Sequence, residues 1–241
     1  GSAQTIVEFS NLQHGLEIRP DAAGTVLVQG IAFTKRAANA NSAGFAVLIG
    51  ETGGTFEKIT LKDVEIAYAS GRNLHFNAGA TYKEIVIEDS HIHHSDKWGA
   101  CIAGPTDKLT VTNSDFTYNG KNDSVHGYGL DLISPSIKNV AVTGGHFDHN
   151  YGPGININSL HDAVFDGISA SYNRNVGGAE HNGETGVNIW DFTGTSTQNV
   201  VFKNSVFANN RRAAFIIGNQ SPITTSGPIT IESSTIIGHD A

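Results

Sequence analysis

The sequence predicts an all-β fold, a single-stranded right-handed parallel β-helix of about seven to eight coils. Three observations predict it. An eight-residue segment recurs eight times, starting at Val26, Ile59, Ile85, Leu109, Val140, Ala163, Val200 and Ile229. These starts are separated by 33, 26, 24, 31, 23, 37 and 29 residues, a period in the twenties with insertions, as in a solenoid. Between the copies runs a second family of short apolar stretches, each opening on a small residue, which gives about three strands per turn of chain. Parallel crossovers of this kind are right-handed by chirality.

Each copy reads as two strands joined at a bend. The first and third positions are apolar, as in Val26 and Val28 or Leu109 and Val111, and so is the eighth, as in Phe33, Phe116 and Phe147. Alternation of this kind means one buried and one wet face. The fifth position holds only turn formers (Gly30, Asp63, Asp89, Asn113, Gly144, Gly167, Asn204, Ser233), which bend the chain between the two strands.

The second family comprises residues 45–50, 73–79, 100–104, 129–134, 154–159, 186–191 and 213–218. Alternation points Ala46 and Leu48, Leu74 and Phe76, Leu130 and Leu132, and Ala214 and Ile216 inward. It points two columns outward: Val47, His75, Cys101, Asp131, Asn156, Asn188, Phe215, and Ile49, Asn77, Ala103, Ile133, Asn158, Trp190, Ile217. A turn column of Ser95, Asn119, Asn150, Asn173 and Asn210 predicts amides bonded along the solenoid axis. Just before it, Tyr68, His94, Tyr118, His149 and Tyr172 predict a stacked aromatic ladder with a structural role.

The unbroken repeat makes residues 1–241 one elongated domain, expected to be a piece of a longer protein. With 28 glycines and 39% hydrophobic residues, the 241-residue chain has enough apolar content for a long thin core. A single cysteine, Cys101, excludes a disulfide framework. The formal net charge of −8 disfavours nucleic acid as a partner, and mildly repels an acidic glycan unless local cations or a bridging metal intervene. No apolar run reaches the length of a membrane span. Gly1-Ser2 reads as a cloning remnant, so a natural export signal is expected to have been cut away. The strand at 229–237 ends without a cap, so a flanking domain or a second copy is expected to cover the solenoid ends.

Insertions at 34–44, 96–99, 120–127 and 174–186 fall at one position in the coil and therefore project on one side. Loops flanking a flat strand face build a groove. Its middle carries Asp131, Asn156, Asn158, Asn188 and Trp190, with His75 and Asn77 further along. Amides suit sugar hydroxyls and an indole suits the C–H face of a pyranose, so a polysaccharide is the expected partner.

Tyr128-Gly129-Leu130-Asp131, followed one coil later by His146-Phe147-Asp148-His149-Asn150-Tyr151-Gly152 and Gly154-Ile155-Asn156-Ile157-Asn158, resembles the catalytic β-helix of secreted, calcium-dependent mannuronan C-5 epimerases and their alginate lyase relatives. The likeness covers about residues 85–241. The resemblance implies an extracellular uronan-active protein, secreted or at the cell surface, with calcium as a possible cofactor. By position, the family's Tyr falls on Tyr128 and its first Asp on Asp131. Its His falls on Ile133 and its second Asp on Asn158.

Epimerisation or β-elimination begins by removing the C5 proton of a uronate, which requires neutralising the neighbouring carboxylate and placing a base. Tyr128 with His126 is the candidate proton-transfer pair, and Asp131 the candidate for orienting the sugar or a calcium ion. Lys97, Lys121, Arg174, Arg211 and Arg212 are candidate neutralisers. A glycoside hydrolase needs two flanking carboxylates, and Asp131 has only Asn156 and Asn158 beside it. The other class is a non-catalytic module gripping a glycan or surface through Trp190, Asn156, Asn158 and Asn188, as adhesins, tailspikes and inactive epimerase-like modules do. The lost His and Asp favour that module, and the retained Tyr-Gly-x-Asp favours the enzyme.

One other cluster carries possible chemistry. His91, Asp115 and His146 fall on adjacent coils, a weak metal set whose plainer reading is a polar ladder with Asp115 accepting from both imidazoles.

Overall fold

A computed structural model of the chain describes residues 5–9, 14–19, 24–35, 44–51, 53–121, 127–174, 184–191, 197–219 and 227–239. The described residues are strands and turns without helix, and every strand pairing is parallel, giving a β-solenoid of about seven turns.

Two eight-stranded sheets run the length of the solenoid. One contains Thr25–Gln29, Lys58–Lys62, Ile85–Glu88, Leu109–Thr112, Ile137–Thr143, Leu160–Asp166, Gln198–Lys203 and Ile229–Glu232. The other contains Leu16–Ile18, Val47–Ile49, Leu74–Phe76, Ala100–Ile102, Leu130–Leu132, Ile155–Ile157, Thr185–Asp191 and Ala213–Asn219. A third face holds the five strands from Thr5–Phe9 to Asp115–Thr117, continued by bridges through His146, Ser169 and Val206. Between the first and third faces the turn column lies in the left-handed region at every coil, from Gly30 at φ 65° to Ser233 at φ 49°. Gly, Asn and Asp tolerate that region best, which explains the recurring residue types.

The core is the stack of inward columns. Phe116 and Phe147 lie parallel at 5.1 Å between centroids, and Phe165 and Phe202 at 4.6 Å. The amide ladder forms as the sequence implies. Asn119, Asn150, Asn173 and Asn210 are fully buried, and each Oδ1 accepts the main-chain N–H of the preceding rung, as in Asn119 N to Asn150 Oδ1 at 3.0 Å. The small residue opening each strand of the second family now has a cause. A Cβ on Gly129 would fall 2.8 Å from Asn150 Nδ2, and one on Gly154 2.9 Å from Asn173 Nδ2.

The aromatic ladder also forms, with centroid spacings of 5.2, 5.0, 4.8 and 5.1 Å from Tyr68 to Tyr172. Unlike the Phe column it is exposed, Tyr118 by 45%. All five residues have positive φ, which breaks the strand alternation that would have carried them inward.

The two end coils depart from the expected register. Leu48, not Val47, pairs with His75, and Ile216, not Phe215, pairs with Asn188. Val47 and Ile49 therefore belong to the core, and Phe215 packs against Phe202 and Phe207. A one-residue slip exchanges faces, and both end strands are apolar at every central position, so their pattern carried no register information.

Candidate functional site

The second eight-stranded sheet brings the central polar residues into one row. Strand pairing places His75, Cys101, Asp131, Asn156 and Asn188 on successive rungs. Asn156 Nδ2 donates to Asp131 Oδ1 at 2.8 Å, and Asn188 Nδ2 donates to Asn156 Oδ1 at 2.7 Å. The Cys101 thiol bonds Asp131 from the opposite rung. The expectation of neighbouring rungs holds, whereas that of an open trough does not: Asp131, Asn156 and Asn188 are exposed by 2, 5 and 9%.

Burial sets the electrostatics. Loss of solvent pushes the Asp131 carboxyl up to about 7, against the Asn156 amide, the Arg72 charge and the Cys101 bond, which all lower it. Desolvation also drives the Cys101 thiol well upward, which makes it a poor nucleophile. His75 falls to about 3, through burial first and Arg72 second, and is neutral in ordinary buffers.

Beside this row lies a column of which sequence reasoning picked out Tyr128 alone. Main-chain bonds place Phe45, Arg72, Trp98 and Tyr128 on consecutive rungs. The Arg72 guanidinium lies 3.9 Å from the Trp98 ring centroid and 5.8 Å from that of Phe45, and Trp98 lies 6.4 Å from Tyr128. All four are half-buried. The available signal was their shared place, one residue before the small residue that opens each strand.

At the other end of the sheet the polar groups are unsatisfied. Asn158 Oδ1, Asn188 Oδ1 and Thr185 Oγ1 are buried without a hydrogen-bond partner. Next to Asn158 and Asn188, Trp190 is half-buried and lies against Gly218, where a Cβ would come within 3.1 Å of the indole. An amide acceptor stripped of water costs about 1–3 kcal/mol until something donates to it.

The remaining candidates separate. His126 lies outside the described residues. Asn77 accepts from the Gly79 N–H at 2.8 Å and is half-exposed. Arg174 Nε donates to the Asn209 carbonyl at 2.9 Å, and Arg211 Nη1 to the buried Glu184 at 2.9 Å, so both are engaged within the solenoid. Lys121 is exposed and acts electrostatically on His94 of the aromatic ladder.

His91 and Asp115 do pair on adjacent rungs. Asp115 nevertheless accepts the His146 main-chain N–H at 2.9 Å, and His91 Nε2 meets Thr117 Oγ1 at 3.3 Å, so the carboxylate is not shared between imidazoles. Among the described residues the group with converging metal-ligand atoms is instead His14, Glu17 and Glu51. Around Asp131 stand one carboxyl, amides and a thiol, a donor set unlike the cage of several oxygens that calcium takes.

Comparison with protein-family models, curated proteins and solved structures finds no match for the chain, so the likeness to epimerase and lyase β-helices rests on the motif residues.

Proposed function

We propose that this β-solenoid is a secreted or cell-surface module that binds a polysaccharide laid along its axis, against the sheet carrying Asn156, Asn158, Asn188 and Trp190. The observation that carries the reading is the pair of unpaired buried acceptors at Asn158 and Asn188 beside a half-buried indole. Acceptors in want of hydrogens next to an apolar ring suit a ligand with hydroxyls on its edges and C–H groups on its face. Rungs repeat every ~4.8 Å, so a linear polymer laid along the axis meets one row of side chains per coil.

Binding without turnover is the function the geometry supports best. Asp131 is enclosed by Asn156 and Cys101 and nearly out of reach of solvent. One observation favours a second reading as a C5 epimerase or β-elimination lyase: a carboxyl titrating near neutrality in the Tyr-Gly-Leu-Asp segment, with Arg72 acting on it. Affinity electrophoresis against neutral and acidic glycans tests the first reading, and retardation by none of them sinks it. Incubation with uronans tests the second, through absorbance of the unsaturated product and the anomeric proton signals. Turnover by wild type that Tyr128→Phe abolishes would replace the binding reading with the enzymatic one.

A further inference from the structure

We propose that Arg72, stacked on Trp98, is an anion subsite that takes the carboxylate of an acidic sugar. The inference rests on the glycan-binding reading for the polymer that delivers the sugar, and on its own geometry for the anion.

Arg72 differs both from the paired cations of this acidic chain and from the exposed Lys97, Lys121 and Lys138, since it is half-buried. Lys58, Lys62, Lys83, Lys108, Lys203, Arg19 and Arg211 each pair with a carboxylate. Among the described residues Arg72 forms no ion pair. Its Nη1 lies 3.1 Å from the His75 ring nitrogens, and that imidazole is uncharged at neutral pH. Its Nε is buried with no hydrogen-bond partner. A guanidinium held half out of water with an unused N–H retains a full charge and part of its donor fork.

The stack also fixes the plane of that fork. Trp98 at 3.9 Å removes the side chain's rotational freedom, so little order is lost when a planar anion docks on the N–H edge. A carboxylate matches that edge in shape, and the neighbouring Trp98 and Tyr128 rings offer apolar surface to the sugar ring that bears it. Asp131 is the carboxyl on which Arg72 acts, and it is protonated in part near neutrality, so it leaves much of the cation's field uncancelled. Four rungs separate Arg72 from Asn188, about 19 Å along the axis. An acidic residue at one end of a bound oligosaccharide and hydroxyl donors at the other would set its direction on the sheet.

The test uses the two indole N–H signals of the whole protein, assigned with Trp190→Phe. Titration with sodium glucuronate is expected to shift the Trp98 signal saturably, while glucose leaves it in place. Arg72→Gln should abolish the shift, and Arg72→Lys, which keeps the charge without the fork, should weaken it about tenfold. An equal response to both sugars, no response to either, or an unaltered response in a folded Arg72→Gln variant overturns the subsite. If Arg72→Gln does not fold, a full-strength response in Arg72→Lys overturns the fork. Polymer retardation on affinity gels with a silent Trp98 signal sinks the subsite and leaves the glycan-binding reading. A Trp98 response with no glycan retarded sinks the glycan-binding reading and leaves the anion site.

Discussion

Asn156 hands an Nδ2 proton to Asp131 at 2.8 Å while its own carbonyl accepts from Asn188 at 2.7 Å, so the acid on one rung fixes the amide two rungs away. The chain of bonds has a direction: it starts at an acceptor carboxyl and ends on the unpartnered Oδ1 of Asn188. What a ligand meets at Asn188 is therefore set at Asp131.

That carboxyl should make stability fall with pH. Its folded value of about 7 lies above the ordinary 3.8, so between these values the folded chain holds a proton that the unfolded chain has released. Its stabilising effect is full below about pH 4, declines as pH rises to about 7, and levels off above. His75, lowered to about 3, and His93, lowered to about 4, slope the opposite way below pH 6.5, which masks the effect in wild type. The titratable and charged groups acting on Asp131 are Arg72 and Cys101, with His75 one rung beyond Cys101, and Asp131→Asn leaves all three in place. The gain in melting temperature of Asp131→Asn over wild type should grow from pH 4 to pH 7 and then hold. It corresponds to on the order of 3 kcal/mol. A gain independent of pH would mean that the carboxyl is not held neutral.

The amide ladder should be the most sensitive part of the scaffold. Asn150 accepts from the N and Nδ2 of Asn119 and donates to the Phe116 carbonyl and to Asn173 Oδ1, all between 2.9 and 3.2 Å. Asn150→Ala orphans several of these groups where water does not reach, at a cost of about 3–5 kcal/mol by urea unfolding. A loss below 1 kcal/mol would mean that the turn is held by its backbone alone.

How far the sequence reveals the molecule follows the same physics. The central coils were legible because alternation there mixes polar and apolar residues: Leu130-Asp131-Leu132 and Ile155-Asn156-Ile157 can sit only one way round. The end coils Ala46-Val47-Leu48-Ile49 and Ala214-Phe215-Ile216-Ile217 are apolar throughout, and their register is set by neighbours. The composition of the Asp131 row was legible, whereas its burial depends on what lies over the sheet. Trp98 escaped because it falls in an insertion read as loop, and Arg72 because it stands just before a strand, and their meeting is a contact between rungs 26 residues apart.

The Tyr/His ladder tests structure against surface role. Its column continues into the last two coils as Asn209 and Gly238, also at positive φ, so the fold does not need a ring there. Left-handed backbone costs most residues ~1–2 kcal/mol and Asn less. Stacked aromatic pairs return about 0.5–1.5 kcal/mol each. Tyr118→Asn should consequently change stability by less than about 1 kcal/mol in thermal melts. A loss above 2 kcal/mol would make the ladder a structural spine.

Trp190 should carry more of the glycan affinity than of the fold. Its indole is half-buried near the end of the sheet, against Gly218 and beside the unsatisfied acceptors, where its removal opens no central cavity. An aromatic plate under a sugar ring is the kind of contact whose truncation costs more than 1 kcal/mol of binding, so Trp190→Ala should weaken glycan retardation about tenfold. Asn188→Ala removes one acceptor and also the donor to Asn156 Oδ1, so it should weaken binding and lower the melting temperature together. The contrast between the two variants is the measurement. If Trp190→Ala binds as wild type while Asn188→Ala does not, the amides alone hold the ligand, and the pyranose face makes no use of the ring.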